Sequence, residues 1–220
     1  FIRAENNAQI EQMDEGYHGS RGELGVTLPT QFKSPFVDGF LNACAAVGIP
    51  TNTDYNGVKQ TGASLVQSTI TKGKRASGAV AFLKPVLNRS NLTAIPHAQV
   101  EKIILNNKKA VGVHYMLGDE TLTVYAHKEV ILSAGAFHSP QLLMLSGIGE
   151  AAALNKHGIE CLHELKGVGK NLQDHLFYPI CGQAKTQEGI NHYISPLQQL
   201  KAAWNYFIHR KGVFCSGPLE

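Results

Sequence analysis

The segment Val130 to Gly149, VILSAGAFHSPQLLMLSGIG, holds the densest set of residues that could do chemistry. Val130-Ile131-Leu132 is continuously apolar, as a strand covered on both faces should be. It runs through Ser133-Ala134-Gly135-Ala136 into Ser139-Pro140, a helix-start signal. A strand that delivers through a glycine turn into a helix aims free N–H groups and the positive dipole end at whatever sits above it. Gly135 would let the backbone approach a flat or anionic ligand with no side chain in the way. The same residues also fit an ordinary strand–turn–helix corner, because a helix N-terminus is only one requirement of an anion site.

A second pattern overlaps the first. Gly147-Ile148-Gly149-Glu150-Ala151-Ala152 fits G-x-G-x-x-A, with Leu142 to Leu145 as its strand and Glu164 as a ribose-binding acid. That would make a nicotinamide- or flavin-binding Rossmann unit. Against it, Ser139-Pro140 caps a helix better than it opens a strand, and the helix from about Ala151 to His157 is short for a crossover. No clear second buried strand follows Glu164.

Other chemistry is sparse. The ten histidines include no H-E-x-x-H or H-x-H pair, so no metal site is expected. His138, beside the corner, and His175, after Asp174, are the two that could move a proton; loop residues serving local backbone are the simpler reading of both. Cys44, Cys161, Cys181 and Cys215 show no C-x-x-C spacing, and Cys44 sits on an apolar helical face as a small hydrophobe. There is no G-x-S-x-G elbow and no P-loop.

Three helices are predicted to position these groups, each opened by Ser-Pro. They follow Ser34-Pro35 (closed by Gly48), Ser139-Pro140 (closed by Gly147) and Ser195-Pro196 (closed by Arg210, Lys211 and Gly212). Their apolar spacings of three and four predict faces packed on a core, with Trp204 on one of them. Between Asn91 and Gly135 the period changes. Leu92–Ile95, Val100–Leu105, Ala110–Tyr115 and Thr121–Tyr125 read as strands of an antiparallel meander, turned at Asn106-Asn107 and Gly118-Asp119. Tyr17 to Gly25 and Lys166 to Asp174 read as loops.

Composition sets the outer limits. A chain of 220 residues, 43% hydrophobic and 17% charged, can bury a core and is not disordered. No run of about 18 apolar residues predicts a membrane-spanning helix. Twenty basic residues against 17 acidic ones, scattered along the chain, give +3, too little to argue for a nucleic-acid partner. The chain opens on Phe1, which suggests a piece of something longer.

The residues from Gly135 to Gly149 resemble, along their whole length, the second signature of the glucose–methanol–choline oxidoreductases, flavin enzymes that oxidise alcohols. Supporting phrases stand in the family's order. Tyr17-His-Gly-Ser-Arg-Gly22 resembles its Y-H-G-x-x-G loop, and Gly167-Val-Gly-Lys-Asn-Leu-Gln-Asp-His175 its G-V-G-x-N-L-Q-D-H loop. Arg75 to Leu83 resembles its serine- and alanine-rich segment, although Arg75-Ala-Ser77 departs from the usual R-C/S-S-S-A run and leaves Ser77 without an assigned role. Asn91 to Val100 resembles the strand pair over the adenine, and Gly217-Pro218-Leu219 a family G-P-L.

The resemblance implies a mixed α/β (α+β) fold in which part of an FAD-binding domain, residues 85–170, is interleaved with parts of a substrate-binding domain, residues 1–84 and 171–220. It implies FAD as cofactor, with Val100 at the adenine and Ser133, Ala134, Gly135 and Ala136 lining the cofactor site. It implies a small alcohol as substrate, oxidised to an aldehyde in the manner of choline dehydrogenase, and no metal. The family's pyrophosphate-gripping G-x-G-x-x-G stands ahead of the matching stretch and its catalytic histidine after it, so no catalytic residue is assigned here and this chain alone is expected to be inactive. Cytoplasmic placement is the expectation, with membrane association of the full-length enzyme left open. Two alternatives stand beside this reading: a non-catalytic module without turnover, and the nicotinamide-binding Rossmann protein built on Gly147, Gly149 and Ala152.

Overall fold

The computed structural model describes residues 2–8, 13, 16–28, 32–176, 178, 182, 185 and 193–215. Cys181 and Gly217-Pro218-Leu219 lie outside the described residues. In chain order the elements are β1 (Glu5–Asn7), β2 (Leu24–Val26), α1 (Pro35–Ala46), β3 (Ile70–Thr71), β4 (Lys74–Arg75), β5 (Gln99–Asn106), β6 (Lys109–Leu117), β7 (Glu120–Tyr125), α2 (Gly135–Leu145), β8 (Ile148–Gly149), α3 (Ala151–Lys156), β9 (His163–Glu164) and α4 (Pro196–Trp204). The class is mixed α/β, and the chain divides into two compact units. One joins residues 1–93 to 181–220; the other comprises 94–180.

The second unit is built on the meander β5-β6-β7, antiparallel throughout. Its first turn, Asn107-Lys108, has both residues at positive φ (48° and 66°), the conformation that matches the twist of the flanking strands. Helix α2 packs against β5 through Ser146, whose Oγ accepts from the Ile103 amide at 2.8 Å and donates to the Leu142 carbonyl. One hydroxyl thus closes the helix and satisfies an edge amide of the sheet. Gly147 follows at φ +82°, and a Cβ there would lie 2.7 Å from the Glu160 carbonyl oxygen. Only glycine fits both the angle and the approach. The chain then pairs β8 with β9 in parallel across the short helix α3.

In the first unit β1 and β2 pair in parallel, and β3 and β4 form a two-residue hairpin. Ser34 caps α1 as its type and position predict, accepting the Phe36 amide at 3.3 Å. Ser195 stands at the α4 N-cap position without a side-chain cap bond, and the helix continues past Trp204 as a wider turn to His209.

Five expectations need correcting. Leu92–Ile95 forms no strand, and the meander starts at Gln99. Val130–Leu132 is not a covered strand; Ile131 is 77% exposed. A strand has no hydrogen bonds of its own, and no described segment lies alongside this one to supply a ladder. Ser139-Pro140 does not open α2, which begins at Gly135, one turn earlier. Pro140 sits inside the helix, and Ser139 Oγ reaches back to accept the N-cap Ala134 amide at 3.0 Å. The stretch from Tyr17 to Gly25 is not all loop, because Leu24 and Gly25 belong to β2. Finally, the apolar faces of α1 and α4 are largely at the surface: Phe40, Leu197, Leu200 and Trp204 are all exposed, and among the described side chains only Cys44 and Ala202 reach the core.

That exposure is general. Among the described residues further large apolar side chains stand in water, Val47, Phe137 and Leu172 with those already named.

Candidate functional site

The corner expected to line a cofactor lies in the second unit. Ser133 and Ala134 form the exposed connection into α2, and Gly135 and Ala136 are its first two residues. Gly135 has φ +86°, and a Cβ built on it would meet nothing within 4 Å. The space in front of the helix is open, and its first-turn amides have no intrahelical acceptor. The Ala134 amide is already taken by Ser139, so the free donors begin at Gly135. Val100 lies in β5, paired with Tyr115 and next to a bulge before Lys102. The corner is thus contiguous, and α2 ties it to the strand that carries Val100 through the Ser146–Ile103 bond.

Lys170, in the glycine-rich loop after Gly167, closes on Glu150 at 2.8 Å and anchors that loop beside the start of α3. The hydrogen bond and charge of Lys170 hold the Glu150 carboxyl below its usual range. His175 does not form a dyad with Asp174, because Asp174 Oδ1 accepts the His175 backbone amide at 2.7 Å. His138 is exposed on the first turns of α2. Among the described residues no group of three or more histidine, cysteine, aspartate or glutamate side chains could hold a metal ion. The G-x-G-x-x-A pattern loses its structural basis. Leu142–Leu145 is helix, β8 has two residues, and α3 has six. A dinucleotide fingerprint needs strand, glycine turn and helix in that order.

The first unit contains a cluster that sequence spacing did not reveal. His18 Nδ1 lies 3.0 Å from Glu5 Oε1, and its Nε2 lies 3.0 Å from Asp54 Oδ1. The second Glu5 oxygen accepts the Gly19 amide at 3.0 Å, and Asn7 donates to the first at 3.0 Å. Glu5 has no exposed surface, and His18 is 4% exposed. Burial alone would lower the His18 pKa; hydrogen bonds and charge from Glu5 and Asp54 outweigh it and raise the value. A neutral imidazole has one N–H, so only the imidazolium donates to both carboxylates. With both nitrogens committed, His18 works as a clamp between β1, the Tyr17–Gly22 loop and the Asp54 loop, not as a proton shuttle. The alternation of Glu5 and Asn7 on one side of β1 was the only local hint.

With this geometry in hand, comparison with known proteins is decisive for class. The model of the GMC oxidoreductase family matches residues 3–177, and the chain belongs to that family. An alcohol dehydrogenase [acceptor] from Pseudomonas putida is 38% identical over 223 residues, covering 100% of this chain and 40% of the relative. An oxygen-dependent choline dehydrogenase from Photobacterium profundum is 42% identical over 177 residues, covering 80% of this chain and 31% of the relative. Among solved structures, an FAD-dependent oxidoreductase from Chaetomium thermophilum superposes with a TM-score of 0.85 at 28% identity, over 97% of this chain and 39% of that one. Pyridoxine 4-oxidase from Mesorbium loti gives 0.73 at 32% identity, over 80% of this chain and 34% of that one. The chain thus spans 31% to 40% of the length of the two curated relatives.

Proposed function

We propose that this chain forms the middle of an FAD-dependent oxidoreductase that takes a small alcohol to an aldehyde. The observation that carries the reading is the open corner at Ser133 to Ala136, in a chain of this family with relatives named as alcohol and choline dehydrogenases. The residues fit the cofactor. A helix start with free amides and no Cβ at Gly135 suits a flat, anionic group. Gly135 and Ala136 would hold it through their amides, Ser133 and Ala134 would line it, and the Val100 backbone would meet the adenine. Bound FAD would supply the two-electron acceptor for the hydride. The unit 94–180 would then be the flavin side and the unit joining 1–93 to 181–220 the substrate side.

A second reading concerns the chain by itself: a module that binds part of FAD without turnover. The location that goes with the enzyme reading is the cytoplasm, with membrane association of the full-length enzyme left to cell fractionation; among the described residues no helix is long and apolar enough to cross a membrane. For choline as substrate, Tyr206 is a poor cage wall, because the Arg210 guanidinium already sits 4.9 Å from its ring centroid.

The deciding experiment is a flavin absorbance spectrum of the purified protein, with and without added FAD. Gly135→Ala should lower bound flavin at a cost of roughly 1 kcal/mol in stability, the strain of the left-handed region, because no neighbour crowds the added Cβ. A colourless wild-type protein that ignores added FAD overturns the cofactor assignment.

A further inference from the structure

We infer that a cleft in the first unit, remote in sequence from the cofactor corner, binds a multiply charged oxyanion of the phosphate class. Two cavities of about 580 and 470 Å³ share the wall residues Glu23, Thr71, Lys72 and Arg210. Lys211 joins them on one side, and Lys74 and Arg75 on the other. Five cations therefore line the cleft against the single carboxylate of Glu23. The resulting +4 exceeds the +3 of the entire chain, so the remaining residues carry a slight negative balance. Charge is concentrated around the cleft, with Arg210 half-buried and the other four cations exposed at its rim.

None of these cations forms an ion pair among the described residues, although Lys33 and Lys170 elsewhere do. Five unpaired like charges around one cleft repel one another, and a bound anion would relieve that. The cations also stand on defined backbone. Lys72 and Gly73 make the β3–β4 turn, both at positive φ, which sets Lys72 at its tip and Lys74 just beyond. Arg210 sits at φ +53° with its guanidinium stacked on Tyr206, so the ring restrains the side chain without using its N–H groups. Beneath them Cys215 is 3% exposed, and burial pushes its thiol up despite Arg210, so it acts as floor, not nucleophile.

The charge count selects the ligand class. A carboxylate brings one negative charge, whereas a phosphate monoester brings about two at neutral pH. A planar guanidinium also matches two phosphate oxygens at once. The ligand is thus a free phosphate ester or the headgroup of an anionic lipid, which present the same oxygens.

The test is calorimetric titration of inorganic pyrophosphate into the purified protein at low ionic strength, with FAD present to saturation so that a cofactor site cannot give the signal. Saturable binding is expected. The pair Lys72→Gln and Lys74→Gln should weaken it about tenfold, and Arg210→Lys several-fold, because lysine lacks the fork. Co-sedimentation with phosphatidylglycerol and phosphatidylcholine vesicles separates the sources. Retention on the anionic vesicles alone, lost in the lysine pair, marks a lipid headgroup; pyrophosphate binding without retention marks a free ester. Absence of saturable pyrophosphate binding, or equal binding by wild type and the lysine pair, overturns the proposal. The lysine heads are exposed and carry no packing, so that pair decides the matter even should Arg210→Lys misfold.

Discussion

His18 Nδ1 sits 3.0 Å from Oε1 of Glu5, a carboxylate with no exposed surface. The pairing raises the His18 pKa, which fixes a sign. The folded form holds the proton more tightly than the unfolded chain, whose value is about 6.5. The clamp's contribution is full below that value and is lost as pH rises through the folded pKa. The groups facing His18 are Glu5, Asn7 and Asp54. Urea unfolding of wild type and His18→Asn from about pH 6 to about pH 9 should give a stability difference that shrinks with pH. A constant difference would sink the imidazolium assignment.

Glu5→Gln keeps the shape and removes the charge. It should cost on the order of 3 kcal/mol, as expected when one partner of a buried pair is lost. NMR titration of His18 should show its pKa falling in that variant.

Ser146→Ala removes the hydroxyl that accepts the Ile103 amide and donates to Leu142. A buried amide left without an acceptor costs about 1–3 kcal/mol. Amide exchange at Ile103 should accelerate more than at Val113, its neighbour across the ladder.

Two glycines at similar angles should behave differently. A Cβ on Gly147 would collide with Glu160 and Leu162, whereas one on Gly158 meets nothing. Gly158→Ala should cost roughly 1 kcal/mol, the strain of the left-handed region alone. Gly147→Ala should cost at least twice that in the same denaturation assay.

Ile131→Lys tests the exposed segment before α2. At 77% exposure the change should alter the stability of this chain by less than about 0.5 kcal/mol. A loss of several kcal/mol would mean that the segment is covered after all.

These cases mark what the amino-acid sequence could reveal. The turn expected at Asn106-Asn107 and found one residue later at Asn107-Lys108, the cap at Ser34 and the glycine closure at Gly147 depend on residues within one turn of each other, so local chemistry determined them. At Gly135 the turn was legible for the same reason, but neither the covered strand before it nor the helix start expected at Ser139-Pro140 is found. Val130–Leu132 reads as a strand because its composition suits one, but a strand exists only with a neighbour, and no local pattern supplies that. Ser139-Pro140 misled because serine can close a helix from inside its second turn as well as from its start. The His18 clamp joins residues 13 and 36 positions apart, which no helical or strand period could connect.

The division of the chain bears on the order of events during synthesis. Residues 94–180 are contiguous, and the meander within them closes through two hairpins of short span. Contacts so local form early, as soon as that stretch leaves the ribosome. The other unit is split, and its second part, residues 181–220, emerges only after the whole insertion has been made. The β3–β4 hairpin therefore waits, without its Arg210 and Cys215 neighbours, for about 135 residues of translation. At roughly 5–20 residues per second that is an interval of about 7–27 seconds. During it the early half of the cleft is a nascent basic surface that its later neighbours have not yet reached.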